Sequence, residues 1–210
     1  MSTPPYIVAI AGGSGAGKTT LAKVLKQSLF DAEIIYHDSY YRDQAHIPLL
    51  EREHVDYDHP DSLETSLLIQ HIQALKTNKT VLIPEYDFPI HTRSAHSNEM
   101  EPHQVIIIDG ILILHDAQLR SLIDYSFFVT TPSDIRFIRR LERDIRERGR
   151  DAESVINQYL SSVRQAYETY IAPTKDFADQ IVDGMGSVSE TVEAMHEVIA
   201  TNLMQKQLHK

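Results

Sequence analysis

The run Gly12-Gly13-Ser14-Gly15-Ala16-Gly17-Lys18-Thr19-Thr20 is where this chain can first do chemistry. Its spacing is G-x-x-x-x-G-K-[ST]. An apolar run, Tyr6–Ala11, precedes it and a helical pattern follows, and in that setting it is a P-loop. Glycine at these places lets backbone N–H groups turn inward around phosphate oxygens, which a Cβ would obstruct. The helix opening near Gly17 adds its positive N-terminal end. Lys18 supplies a cation for the outer phosphates, and the Thr19 hydroxyl can sit on Mg²⁺. Residues 12–20 are therefore expected to hold a nucleoside triphosphate with its magnesium ion.

Two carboxylates belong beside it. In a parallel sheet, ligands collect at the carboxyl ends of the strands. An apolar run at Val105–Ile108 ends in Asp109-Gly110, and a strand read at Glu33–His37 ends at Asp38. Asp109 is placed like a Walker-B acid on Mg²⁺. Asp-Gly also caps turns, but the apolar strand before it favours the metal. Asp38 is a candidate general base for a hydroxyl that attacks phosphorus. It is equally a candidate for a second Mg²⁺ contact, and the two roles are compatible; a plain cap of a short helix is the structural alternative.

Seven of the twelve arginines fall between Arg136 and Arg150. Arg136, Arg139 or Arg140, and Arg143 share one helix face, and Arg146, Arg148 and Arg150 lead into the next loop. The interleaved Glu142, Asp144 and Glu147 would suit a solvated, ion-paired helix. Arginine throughout, with little lysine, favours bidentate contact with phosphate instead. A glycine-flanked arginine segment suits a lid that closes over transferring phosphates and excludes water.

The elements that must position these groups follow from pattern. Strands are expected at Tyr6–Ala11, Glu33–His37, Val105–Ile108, Tyr125–Thr130 and Gln180–Val182. Helices are expected at Gly17–Phe30, from Pro60 through Leu75, from a Ser133 cap to about Glu147 with Gly149 ending it, at Asp151–Tyr170 and at Ser189–Gln205. A strand pair is expected at Thr80–Ile83 and Tyr86–His91, interrupted by Pro84 and Pro89 and so at a sheet edge. Residues 42–59 show no clean period. Alternating strands and helices predict an α/β fold, a mostly parallel P-loop NTPase-type sheet with helices on both faces. One domain over residues 1–210 is expected, with a β-hairpin acceptor lobe at about 80–100 and a helical arginine-rich lid at about 133–165.

Composition sets bounds. The chain has 210 residues, no cysteine and a formal net charge of −10. Disulfides, thiolate metal sites and cysteine nucleophiles are excluded. The acidic balance argues against a nucleic acid partner, whose phosphates would be repelled. No stretch reads as a signal peptide or a membrane span, so no membrane partner and a cytoplasmic location are expected.

With the P-loop, His37-Asp38-Ser39-Tyr40-Tyr41, Tyr57-Asp58-His59-Pro60, the stretch Glu85–Arg93 reading EYDFPIHTR, and RRxxRDxxERGRD from Arg139 to Asp151, in this order, the chain resembles the uridine kinase (uridine–cytidine kinase) family. The resemblance runs from about Tyr6 to Val182. It implies transfer of the γ-phosphate of ATP or GTP, with Mg²⁺, to the 5′-hydroxyl of uridine or cytidine. Asp38 then matches the acid that takes the hydroxyl proton. Lys18 and Thr19 hold phosphates and metal, with Asp109 at the second acidic metal contact. Asp58, beside Tyr57, matches the clamp on the ribose hydroxyls, shared by Arg140. Tyr86 and His91 match the pair that reads the pyrimidine edge, Phe88 packs on the base, and Tyr41 and Gln158 line the acceptor site. Arg143 and Arg148 match lid arginines at the phosphates, and Arg150 lies near the acceptor. A homotetramer inhibited by CTP or UTP is also implied.

The chain departs from that pattern in places. Asp109 replaces the usual glutamate, and Thr130 replaces an aspartate. Pro89 stiffens the hairpin, and Asp183-Gly184-Met185-Gly186 replaces Pro-Arg-Gly-Gly. His37 replaces glutamine, which would make the charge beside Asp38 pH-dependent. Two other readings fit the P-loop: a phosphoribulokinase- or pantothenate-kinase-type enzyme, and a nucleotide-binding regulatory module without transfer. The Tyr57–Pro60 segment followed by Tyr86 and His91 favours a nucleoside acceptor. Asp38, Lys18 and the lid arginines favour transfer.

Overall fold

The computed structural model describes residues 3–52 and 55–208. In chain order its elements are β1 (Tyr6–Gly12), α1 (Lys18–Ser28), β2 (Ala32–Tyr36), α2 (Leu49–Arg52), α3 (Thr65–Lys76), β3 (Val81–Asp87), β4 (Thr92–Met100), β5 (Val105–Gly110), α4 (Ala117–Arg120), β6 (Tyr125–Thr130), α5 (Ser133–Arg148), α6 (Ala152–Gln158), α7 (Arg164–Ala166), β7 (Gln180–Asp183) and α8 (Val188–Leu208). Five strands form a parallel sheet in the order β2-β5-β1-β6-β7. β1 and β5 are buried along their whole length, as strands covered on both faces must be.

Side-chain alternation assigns each face to its helices. Ile7, Ala9, Ala11, Ile106, Ile108 and Phe128 pack with Leu68, Ile72 and Leu75 of α3 and Leu119 of α4. Tyr6, Val8, Ile10, Ile107, Phe127 and Val129 pack with Leu21, Ala22 and Leu25 of α1 and Val192, Met195 and Ile199 of α8. The fold is thus α/β with helices on both faces. The order also decides where chemistry lies. β1 has β5 on one side and β6 on the other, so the P-loop leaves the sheet where neighbouring connections diverge. Ile10 pairs with Asp109, and Asp109 with Tyr36, so the ends of β1, β5 and β2 stand side by side.

Several local expectations are corrected. β2 stops at Tyr36, and His37–Tyr40 is a 3₁₀ turn that carries Asp38. Gly110 lets that turn approach, because a Cβ there would stand 2.5 Å from the His37 Cβ. Pro60–Ser62 is a separate 3₁₀ turn and α3 begins only at Thr65. Leu63 between them is buried and bridges to Tyr41, which breaks the helix. Residues 42–59 include α2, and Glu53 and His54 of that stretch lie outside the described residues.

The expected strand pair is wrongly divided. Val81–Asp87 is one strand that runs through Pro84, its partner is Thr92–Met100, and Phe88–His91 is the turn between them. The pair is a separate two-stranded sheet, not an edge of the main one. Proline is tolerated because the register shifts between Pro84 and Tyr86, where a ladder N–H is dispensable. Helix α5 is not capped by Ser133, which is its first helical residue after Pro132. Gly149 does end it, at φ 66°, in the left-handed region that favours glycine. Asp151 caps α6 by accepting from the Ser154 N–H at 2.8 Å. The expected Asp151–Tyr170 helix is not uniform: Tyr159–Val163 and Tyr167–Ile171 are π-helical.

Candidate active site

The P-loop closes on the start of α5. Gly15 sits at φ 78°, and a Cβ there would fall 2.2 Å from the Arg136 carbonyl oxygen, so only glycine fits. Ala16 is fully buried, and its carbonyl accepts from the Thr131 hydroxyl at 3.0 Å. Gly12 ends β1, and Gly13 offers its carbonyl to Lys18 Nζ at 3.0 Å. Lys18 is buried, and burial pushes its ammonium below its ordinary value against the opposing pull of Asp109 and Asp38. An anion beside it would offset that cost. The Thr19 hydroxyl donates to Asp109 Oδ2 at 2.5 Å. Burial raises the Asp109 carboxyl, with Lys18 and Thr19 acting to lower it.

Two clefts meet here. The first, of about 840 Å³ counting its open mouth, is lined by Lys18, Thr19, Asp38, Asp109 and Ser14 on the P-loop side. Tyr41, Tyr57, Asp58, Tyr86, Phe88 and His91 line its far side, and Arg140, Arg143, Arg148, Arg150 and Gln158 its roof. The second runs past the start of α1, along Gly15, Gly17, Thr20, Lys23 and Arg139. Lys18, Thr19, Tyr36, Asp38, Tyr86, Phe88, Arg143 and Arg148 line both. Gly12, Gly13 and Ala16 line neither; they shape the loop.

The far side is aromatic. Tyr41 meets Tyr57 and Tyr86 with ring centroids 5.5 and 5.1 Å apart. Phe88 packs edge-on to Tyr86 at 5.2 Å, and His91, at φ 50°, stacks on Tyr57 at 5.5 Å. The Arg148 guanidinium lies over the Phe88 ring at 4.2 Å. At the end of this wall Asp58 is buried, and its Oδ2 finds no hydrogen-bond donor among the described residues. Arg140 Nη1 is 3.8 Å away. Burial raises the Asp58 carboxyl, with Arg140 opposing and Asp56 and Asp38 reinforcing the rise. Arg140 also donates to Ser14 Oγ at 3.1 Å and to Gln158 Oε1 at 2.9 Å, and Arg150 donates to the same oxygen at 2.6 Å.

A protein-family model, the phosphoribulokinase / uridine kinase family, matches residues 7–191. The chain belongs to that family. A uridine kinase of Geobacillus kaustophilus is 44% identical over 208 residues, 98% of this chain and 99% of the relative. A uridine kinase of Streptococcus thermophilus is 42% identical over 205 residues, 97% of each. Among solved structures, one described as a possible uridine kinase from Bacillus stearothermophilus superposes with TM-score 0.60 at 19% identity, over 87% of this chain and 91% of that one. At that identity the likeness speaks for the shared P-loop kinase fold alone.

As a P-loop kinase of this family, the chain holds two groups that sequence pattern did not single out. Asp144, a fixed position of the RRxxRDxxERGRD stretch that also suits a solvated, ion-paired helix, is fully buried among arginines. Arg93 of β4 donates to the carbonyls of Tyr41 at 2.7 Å and Tyr40 at 3.0 Å, and pairs with Glu64 at 2.7 Å. It therefore ties the hairpin to the turn that carries Asp38. Its place at the end of the EYDFPIHTR stretch was the available signal. Two departures from the family pattern touch each other: the Gly184 N–H donates to the Thr130 carbonyl at 2.8 Å, and Arg139 donates to the Gly184 carbonyl at 3.1 Å.

His37 needs correction as a pH-dependent charge. It is fully buried, with Nε2 3.2 Å from the Thr65 hydroxyl, and burial pushes it from 6.5 down to about 4. It is neutral near pH 7. The unfolded chain binds this proton below about 6.5 and the native protein only below about 4, so stability is full above 6.5 and falls between them. That slope amounts to about 1.4 kcal/mol per pH unit. In thermal unfolding between pH 7 and 4.5, His37→Gln is expected to lose midpoint less steeply than wild type. Parallel curves for the two proteins would contradict the assignment.

Proposed function

We propose that this protein phosphorylates uridine and/or cytidine at the 5′-hydroxyl, using ATP or GTP with Mg²⁺. The observation that carries the reading is Asp58. A buried carboxylate with an unbonded oxygen, at the end of an aromatic wall, suits a cis-diol whose sugar bears a flat base. The Thr19 hydroxyl and Asp109 are hard oxygen donors suited to Mg²⁺, and Asp38 lines the same cleft. When bound, the ion neutralises charge on the donor phosphates. Asp38, where the clefts meet, takes the proton of the 5′-hydroxyl as its oxygen bonds to the γ-phosphorus. The bond from that phosphorus to the β–γ bridging oxygen breaks, giving nucleoside monophosphate and nucleoside diphosphate. Lys18, Arg143 and Arg148 face the charge that spreads over the transferring group. Arg148 and Phe88 close the roof of the cleft and exclude water, which would otherwise compete with the nucleoside.

Incubation with Mg²⁺-ATP or Mg²⁺-GTP and a panel of acceptors tests this directly. Monophosphate from uridine or cytidine, with little from deoxyuridine or adenosine, is the expected result. Transfer only to a sugar phosphate or to pantothenate would replace the reading, and no transfer to any acceptor would favour a regulatory module. His91 stacks on Tyr57 where the base would be read. His91→Ala is expected to narrow the preference for pyrimidine over purine nucleosides by about tenfold in kcat/KM, since one lost edge contact is worth about 1–2 kcal/mol. An unchanged preference ratio would remove His91 from base reading.

A further inference from the structure

Helix α5 closes around a carboxylate. Asp144 is 0% exposed. Arg143 donates through Nε at 2.9 Å and approaches with Nη2 at 2.7 Å, both to Oδ1. Arg148 Nη1 is 3.4 Å from the same oxygen. On Oδ2, Arg140 Nε and Arg150 Nη1 each stand at 3.7 Å, and that oxygen makes no hydrogen bond among the described residues. The chain path makes this cluster. Arg140 and Arg148 are one helical turn before and after Asp144, and Gly149 turns the chain so that the Arg150 N–H donates to the Asp144 carbonyl at 3.1 Å. The opposing charges hold the carboxyl below its ordinary value although burial opposes them, with Arg143, Arg148 and Arg140 contributing in that order.

These arginines line the first cleft, and Arg143 and Arg148 line the second as well. Left to itself, a group of crowded guanidiniums, Arg140 buried and the other three partly so, would spread apart by mutual repulsion. A guanidinium has five donors in a fixed fork, so one edge can be held while another meets a ligand. We infer that Asp144 is the positioning residue of this site: its carboxylate sets the spacing of Arg140, Arg143, Arg148 and Arg150, through both its charge and its place. Asp144 lines neither cleft. It acts through the arginines, and the inference rests on the kinase reading above.

Asp144→Asn keeps the shape and removes the charge. Steady-state kinetics with uridine and Mg²⁺-ATP are expected to show kcat lowered about a hundredfold, the scale of a misplacement near 1 Å. KM for ATP should stay within about threefold, because the site gains net positive charge toward an anionic donor even as its arginines lose their spacing. A residue that only holds the helix together would instead raise both KM values and lower the unfolding midpoint without that split. Asp144→Glu keeps the charge and moves it by one methylene, so a folded protein with kcat lowered about tenfold is expected. It decides the matter should the asparagine variant not fold. Either folded variant with kcat within about twofold of wild type overturns the inference, as does a rise in both KM values at unchanged kcat. Wild-type protein assayed with uridine and cytidine and with Mg²⁺-ATP and Mg²⁺-GTP separates the two ideas: no monophosphate from any pair refutes the kinase reading, while an active wild type with unimpaired variants refutes only the role of Asp144.

Discussion

Asp38→Asn is expected to lower kcat for nucleoside phosphorylation about a thousandfold, within the 10²–10⁴ range that a positioned general base contributes. The amide keeps the shape of the side chain and cannot take the 5′-hydroxyl proton. Asp38 reaches the meeting point of the clefts because β2 ends at Tyr36 and the chain turns at once into the 3₁₀ segment. That turn is held from outside by Arg93, which grips the two carbonyls that follow. The substitution leaves this scaffold intact, so binding of Mg²⁺-ATP, followed by equilibrium titration, should stay within about threefold of wild type. A wild-type-like turnover number would dismiss Asp38 as the base. Loss of ATP affinity alongside turnover would point to a metal contact as its main task.

Asp58→Ala is expected to raise KM for uridine about a hundredfold while KM for ATP moves by less than about threefold. The size matches the low end of what two hydrogen bonds from a cis-diol to a charged group would supply, at about 1.5 kcal/mol each. The selectivity follows from position. Asp58 lines the first cleft and is not among the groups that line the second, which runs past the start of α1. Its loss also strips a partner from Arg140, which keeps Ser14 and Gln158. Comparison of uridine with deoxyuridine sharpens the test: wild type should discriminate against the deoxynucleoside, whose missing hydroxyl leaves Asp58 underpaired, and the variant should lose that discrimination. Equal increases in both KM values would contradict a role at the sugar.

The parts of the site that one continuous segment encodes were the most legible. A P-loop needs a strand, a glycine-rich turn and a helix in succession, and Tyr6–Ser28 supplies all three within hydrogen-bonding range of itself. The apolar run before Asp109 likewise announced a buried strand. The hairpin was harder. Proline at position 84 reads as an interruption, but a register shift removes the need for its N–H, so β3 passes through and Tyr86 belongs to the first strand, not the second. His37 read as a titrating neighbour of Asp38, because nothing in a linear sequence shows that Gly110 would let its ring sink out of water.

Local pattern suffices for the phosphate loop, for the alternation of strands and helices that makes a parallel sheet, and for the residue types able to bind phosphate, metal and a sugar. Those properties depend on spacing of a few residues and on side-chain chemistry. Tertiary structure alone decided that Asp38, Asp58 and the arginines share a cleft, that Asp144 lies at the centre of a cationic cluster and not on a solvated face, and that Arg93 braces the turn carrying Asp38. Burial and long-range contact are properties of the sheet order and of the helices laid across it, and they set whether a charge is solvated, paired or left open for a ligand.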